Sequence, residues 1–172
     1  FQNIRLFKHL SVLDNIKVAM NQHMKYTVVE AIFRLPRYWK EEARVAEKAR
    51  ELLRIFDMED TAGQMAANLP YGQQRKLEIL RALASHPKLL LLDEPAAGMN
   101  PTETRELMET IRRIRDRGIT MVVVEHDMRL VAEIADVITV LDHGKKIAEG
   151  APEAVLSDPN VIEAYLGKED DD

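Results

Sequence analysis

The sequence predicts an α/β fold built around a parallel sheet, and three features lead there. Helical spacing in the first half gives way to a strand–helix–strand–helix–strand alternation in the second, the order that places helices over parallel strands. Leu89-Leu90-Leu91-Leu92 is a continuous apolar run, as suits a parallel strand buried on both faces. The helices between the strands carry their own start and stop residues.

Ser11-Val12-Leu13-Asp14 reads as a helix start, with Ser11 able to cap and Asp14 placed near free backbone N–H groups. Val12, Ile16 and Met20 then share a face. Residues 41–56 form a clearer helix, with Val45, Ala49, Leu52, Leu53 and Phe56 at helical spacing. Between them Pro36 is expected to break regular structure. Tyr38 and Trp39 lie in that stretch, and either anchor a loop on the core or face a partner protein. Residues 72–85 form a third helix with Leu77, Leu80, Leu83 and Ala84 inward. After the leucine strand, Asn100-Pro101-Thr102-Glu103 supplies a cap, a first-turn proline and an acid at the third position, and Gly118 ends that helix. Residues 119–124 are a second buried strand, and Asp127 caps a helix to about Ala135. Residues 137–141 and 146–148 read as strands joined by a turn at Asp142-His143-Gly144, and a helix over about 161–166 precedes an acidic tail.

A chain of 172 residues with 46% hydrophobic and 31% charged residues can bury a core and stay soluble. Its net charge of −5 argues against nucleic acid as a partner. The absence of cysteine excludes disulfides and thiolate catalysis. No apolar stretch is long enough for a membrane helix, and the first residues have no signal-peptide pattern. The chain starts without Met, so it is expected to be a piece of a longer protein.

Three segments carry the chemistry. Asp93-Glu94 leaves the end of the leucine strand, where side chains of a parallel sheet meet ligands. One carboxylate there can hold Mg²⁺ while its neighbour polarises a water. Val124-Glu125-His126-Asp127 ends the next strand, and a histidine there can bond a terminal phosphate. Leu69-Pro70-Tyr71-Gly72-Gln73 precedes a helix, where glycine lets a phosphate approach the N-terminal N–H groups. Taken singly, each segment also fits a structural role: solvated acids at a strand end, a structural histidine, a turn into a helix.

Together, in this order and spacing, the three resemble the ABC ATPase family over essentially residues 1–167. The resemblance implies a partial P-loop NTPase (RecA-like) core with a helical signature subdomain. Its parts would be a helical region over about 8–86, a core part over about 87–150, and a C-terminal helix and tail over about 151–172. It assigns Leu69, Pro70, Tyr71, Gly72 and Gln73 to the signature, Asp93 to the magnesium-associated Walker B position, and Glu94 to the catalytic base. Asn100 falls in the D-loop, His126 at the switch histidine, and Gln2 at the Q-loop, where it would attend both nucleotide and Mg²⁺. Finer matches, Tyr71-Gly72-Gln73-Gln74-Arg75, Glu94 to Pro101, Glu125-His126-Asp127-Met128 and Asp158 to Gly167, resemble the ATP-binding subunits of branched-chain amino-acid importers. Lipopolysaccharide-export ATPases share several of them. The resemblance implies ATP and Mg²⁺ as ligands, a second ATPase subunit and membrane permease subunits as partners, a binding protein acting indirectly, and a peripheral position on the cytoplasmic membrane face. A non-transport ABC ATPase or a non-catalytic interaction fragment are the alternatives.

Three positions depart from the family pattern: Pro70 stands for the signature serine, Tyr71 for a glycine and Asn100 for an aspartate. No Gly-x-x-x-x-Gly-Lys-Ser/Thr loop occurs in these residues. In the family that loop, its strand and a β-rich segment precede the Q-loop. The expectation is therefore a chain that lacks them and binds ATP weakly or not at all by itself.

Overall fold

The computed structural model describes residues 6–20 and 27–166. The elements run α1 (Val12–Ala19), α2 (Val28–Ile32), α3 (Pro36–Ile55), α4 (Tyr71–Ala84), β1 (Leu89–Asp93), α5 (Pro101–Arg115), β2 (Thr120–Val124), α6 (Met128–Ile134), β3 (Ile138–Asp142), β4 (Lys145–Gly150), α7 (Pro152–Leu156) and α8 (Pro159–Leu166). Short 3₁₀ turns at Glu59–Thr61 and Ala66–Asn68 lead from α3 to α4. The chain divides into two compact units, one up to Val122 and one from Val123.

In the first unit α1 packs on α3 and α4, and α4 packs on α5. Its core holds Val12, Ile16, Ala49, Leu53, Phe56, Leu77, Leu80, Leu107 and Ile111, all essentially inaccessible. Each side chain of this size contributes about 2 kcal/mol on leaving water. α1 is held at its start from two sides. The Ser11 hydroxyl accepts from Asp14 N–H at 3.0 Å. Val12 and Leu13 donate their first-turn N–H groups to the carbonyls of Gln64 and Ala62 at 2.9 and 3.0 Å, which satisfies donors that no helix can pair internally.

Asn15 is fully buried, and its amide is used at both ends. Oδ1 accepts from Phe7 N–H at 3.0 Å, and Nδ2 donates to the carbonyls of Phe7 and Ser11 at 3.0 Å each. The chain before α1 is thereby tied to the helix it enters.

Two expectations change. Pro36 does not interrupt structure; it opens α3 at the first helical position, where a missing N–H costs nothing. The helix expected over 41–56 therefore starts five residues earlier. The strands are not buried on both faces. Leu90 and Leu92 are 4% and 8% exposed while Leu91 is 67% exposed, and Val122 and Val124 also face outward. The four leucines alternate because only one face of β1 is covered among the described residues.

β1 and β2 are hydrogen-bonded neighbours joined through α5, the kind of helical crossover that parallel neighbours require. In the second unit β3 pairs antiparallel with β4 across His143 and Gly144. Both turn residues have positive φ (45° and 76°), the geometry a two-residue hairpin demands. Ile138, Val155 and Val161 form the core of this unit, with Met128, Val131 and Ile147 packed around them.

Replacing Asn15 by leucine would strip the Phe7 N–H of its acceptor, while the carbonyls of Phe7 and Ser11 would keep the backbone N–H groups of Leu10 and Asn15. Urea denaturation of Asn15→Leu is expected to show a loss of about 1–2 kcal/mol.

Candidate functional site

β1 delivers Asp93 at its end, and Glu94 leaves the strand with φ 43°. Arg34, Asp57 and His86 also have positive φ, but each directly follows the C-cap of a helix, where that conformation is the common stop. His143 lies in the hairpin turn. Glu94, like His143, directly follows a strand, but no two-residue hairpin explains its backbone, and a non-glycine residue held there stores strain of order 1 kcal/mol or more. The chain then turns tightly: Ala97 N–H donates to Glu94 O and Met99 N–H to Ala96 O, both at 3.1 Å. Gly98 takes φ 77°.

This turn is tied to the start of α4. The Tyr71 hydroxyl donates to the Ala97 carbonyl at 3.0 Å and accepts from Arg75 Nε at 3.3 Å. The Arg75 guanidinium lies 5.7 Å from the Tyr71 ring centroid and pairs with Glu78 at 3.1 Å. Burial disfavours its charge, but the hydrogen bonds to Tyr71 and Glu78 outweigh that and raise its pKa above the ordinary arginine value. Tyr71, which stands where the family signature has a glycine, is a strut between two candidate site segments.

Gly72 is the second contact. A Cβ on it would stand 2.7 Å from Oε1 of Glu103. Glu103 is held in place by a reciprocal cap: its Oε2 accepts from Asn100 N–H at 3.1 Å, and Asn100 Oδ1 accepts from the N–H groups of Thr102 and Glu103 at 3.0 Å each. The Asn100 side-chain oxygen is thus engaged in starting α5. Lys76 and Glu106 bridge the same two helices one turn further on, at 2.6 Å.

α4 itself begins on Pro70, which offers no side-chain acceptor to its first turn. α1, α2, α5 and α6 all begin on a residue that does. Leu69 is buried, and its carbonyl accepts from Gln74 Nε2 at 2.8 Å. Gln73, half-buried, is the third residue of α4.

His126 belongs to the second unit. It follows β2 by two residues, its side chain is exposed, and its Nδ1 lies 3.9 Å from Glu125 Oε2. Asp127 beside it caps α6, accepting from Arg129 and Leu130 N–H at 3.0 and 3.3 Å. Gln2 lies outside the described residues. No group of three or more His, Cys, Asp or Glu side chains is placed to hold a metal among the described residues. A single carboxylate such as Asp93 still fits Mg²⁺, which keeps several waters and uses one or two carboxylates plus substrate phosphates.

A family profile described as ABC transporter matches residues 1–97. The chain belongs to the ABC transporter ATP-binding family. A second profile, branched-chain amino acid ATP-binding cassette transporter, matches residues 145–171. The chain is 40% identical over 169 residues to the high-affinity branched-chain amino acid transport ATP-binding protein BraF of Pseudomonas aeruginosa, covering 98% of this chain and 66% of that protein. The same figures hold for LivG of Escherichia coli. The chain thus spans just under two thirds of the length of these relatives. Among solved structures it resembles the ADP conformation of MJ1267, an ATP-binding cassette of an ABC transporter, with TM-score 0.72 and 31% identity over 94% of this chain and 64% of that one. A nucleotide-free cassette from an ABC transporter gives TM-score 0.73 at 30% identity, over 98% of this chain and 67% of that one. The α/β fold class follows from these neighbours.

Gly72→Ala would push the Glu103 carboxylate away and undo its bond to Asn100 N–H, with an expected loss of about 1 kcal/mol in urea denaturation. Gly72→Ala/Glu103→Ala should lose less than the sum of the two single variants, since the clash is then gone. Tyr71→Phe should cost about 1 kcal/mol by the same measurement, for the lost bond to Ala97.

Proposed function

We propose that this chain is part of the ATP-hydrolysing subunit of an ABC importer for branched-chain amino acids. The observation that carries the reading is the joint placement of Asp93 and Glu94 at the end of β1, in a turn hydrogen-bonded to Tyr71 at the start of α4. The substrate class rests on the transport named for the BraF and LivG relatives.

In this reading Mg·ATP supplies the phosphoryl group for transfer to water. Asp93, with Gln2, would hold the metal ion. Glu94, aimed off the strand end by its unusual backbone, would orient the attacking water and draw a proton from it. His126 would donate a hydrogen bond to the terminal phosphate. Leu69, Pro70, Tyr71, Gly72 and Gln73 would present the first turn of α4, whose N–H groups lack a side-chain cap, to the nucleotide held by a second ATPase subunit. With Pro70 in the signature, that contact would be made by backbone N–H groups without a hydroxyl's help. Asn100 would serve the site indirectly, by fixing the start of α5 against Gly72.

The partners in this reading are a second ATPase subunit and membrane permease subunits, with a substrate-binding protein acting through the permease. The subunit would sit on the cytoplasmic face of the membrane; among the described residues no helix is long and apolar enough to cross it.

The test uses a version of the protein that carries a phosphate loop upstream of Phe1. Glu94→Gln in that protein should lower ATP turnover about a hundredfold or more while leaving the calorimetric affinity for Mg·ATP unchanged. Turnover at the unmodified rate would overturn the assignment of Glu94.

A further inference from the structure

The corner between α2 and α3 carries an apolar surface that the ATP-binding reading does not use. Val29, Ile32 and Phe33 follow helical spacing on one face of α2, and they are 58%, 69% and 71% exposed. Leu35 and Trp39 continue the surface at 42% and 55%. Single exposed apolar residues are ordinary, but a contiguous patch of this kind marks a contact surface. Of the two sequence expectations for Trp39, a core anchor or a residue facing a partner, the first does not hold: Trp39 stands in the open. Its ring meets Tyr38 edge-on at 5.3 Å, and the Arg34 guanidinium lies 6.0 Å from its centroid.

The charges around the patch are one-sided once the ion-paired groups are set aside. Residues 27–42 contain three bases, Arg34, Arg37 and Lys40, and three acids, Glu30, Glu41 and Glu42, but Glu41 is paired with Arg44 and Glu42 with Lys17. Glu30 is committed locally: it accepts from Thr27 N–H at 2.7 Å to close the α2 capping box and pairs with Arg37 at 3.4 Å. Arg34 and Lys40 are therefore left to dominate the rim. Exposed Trp and Phe beside Arg and Lys on an amphipathic element is the chemistry of a bilayer interface, where rings sit at headgroup depth and long cationic side chains reach the anionic groups.

We propose that the α2–α3 corner is a lipid-contact surface that places Ile32, Phe33 and Trp39 into the headgroup region of an anionic bilayer. The inference does not rest on ATP chemistry or on the roles of Asp93, Glu94 and His126. With a patch this small, binding is reversible and sensitive to salt.

Trp39 is the only tryptophan in the chain, so intrinsic fluorescence reports on this corner alone. The 172-residue chain is titrated with vesicles of mixed phosphatidylglycerol and phosphatidylcholine, and with vesicles of phosphatidylcholine only. A blue shift of Trp39 emission, quenching by brominated acyl chains and weakening by salt are expected with the anionic vesicles. Phe33→Glu should abolish the shift, and Arg34→Ala and Lys40→Ala should each weaken vesicle binding about fivefold. Both kinds of variant change exposed side chains, and an unchanged circular dichroism spectrum would show that folding is not the cause. An emission maximum unmoved by anionic vesicles, or moved equally by neutral ones, would overturn the proposal. So would a shift that requires permease subunits in the vesicle, which would assign the corner to a protein partner. A failure here would leave the Glu94 turnover result untouched.

Discussion

Helices α4 and α5 begin against one another, and the first unit is organised by how little room is left there. Glu103 occupies the space that a side chain on residue 72 would need, while its other oxygen closes the start of α5. Tyr71 reaches from the same turn of α4 to the Ala97 carbonyl, and Lys76 meets Glu106 further along. Tyr71, Gly72 and Lys76, all on the first two turns of α4, are thus matched to the turn after β1 and to α5. A displacement of the α4 start must either carry the Asp93–Glu94 turn with it or break the Tyr71 bond. The two segments that the functional reading assigns to different nucleotides are in this way mechanically one piece within a single copy.

The helix starts were legible from sequence because their chemistry is local. Ser11, Asn100 and Asp127 bond N–H groups two or three residues ahead, and Gly118 takes the positive φ that ends α5. Such signals need no knowledge of the fold. Pro36 was misread because proline has two opposite meanings for a helix, and only the continuation separates them. Without an N–H it stops a helix from inside, yet it fits the first turn where that N–H has no partner anyway.

What sequence could not supply was whatever depends on a distant partner. A run of four leucines looks the same whether one face or two are covered, so Leu89 and Leu91 were assigned to a core that holds only Leu90 and Leu92. The candidate site shows the same division. Asp93, Glu94 and His126 stood out as strand-end residues with family counterparts. The strut from Tyr71 spans 26 positions to Ala97, and the need for glycine at 72 is set by a carboxylate on another helix. The nearest local hint was the Tyr71 and Arg75 spacing, which places the two side chains on one helix face.

The Asn15 amide has a consequence for how the chain is made. Every group it binds lies within eight residues before it, so this tie can close before α3 and α4, on which α1 packs, have been translated. The caps of α1 and α2 close over still shorter spans, on the microsecond scale of helix formation. The α4–α5 clasp must wait until Glu106 has been synthesised. In a nascent chain the segment from Leu69 to Ala84 therefore exists for a time without the partner that holds its beginning. Synthesis from the N-terminus accordingly lets Tyr71 take hold of the Asp93–Glu94 turn as soon as Ala97 is made, and the grip of α5 on α4 follows later.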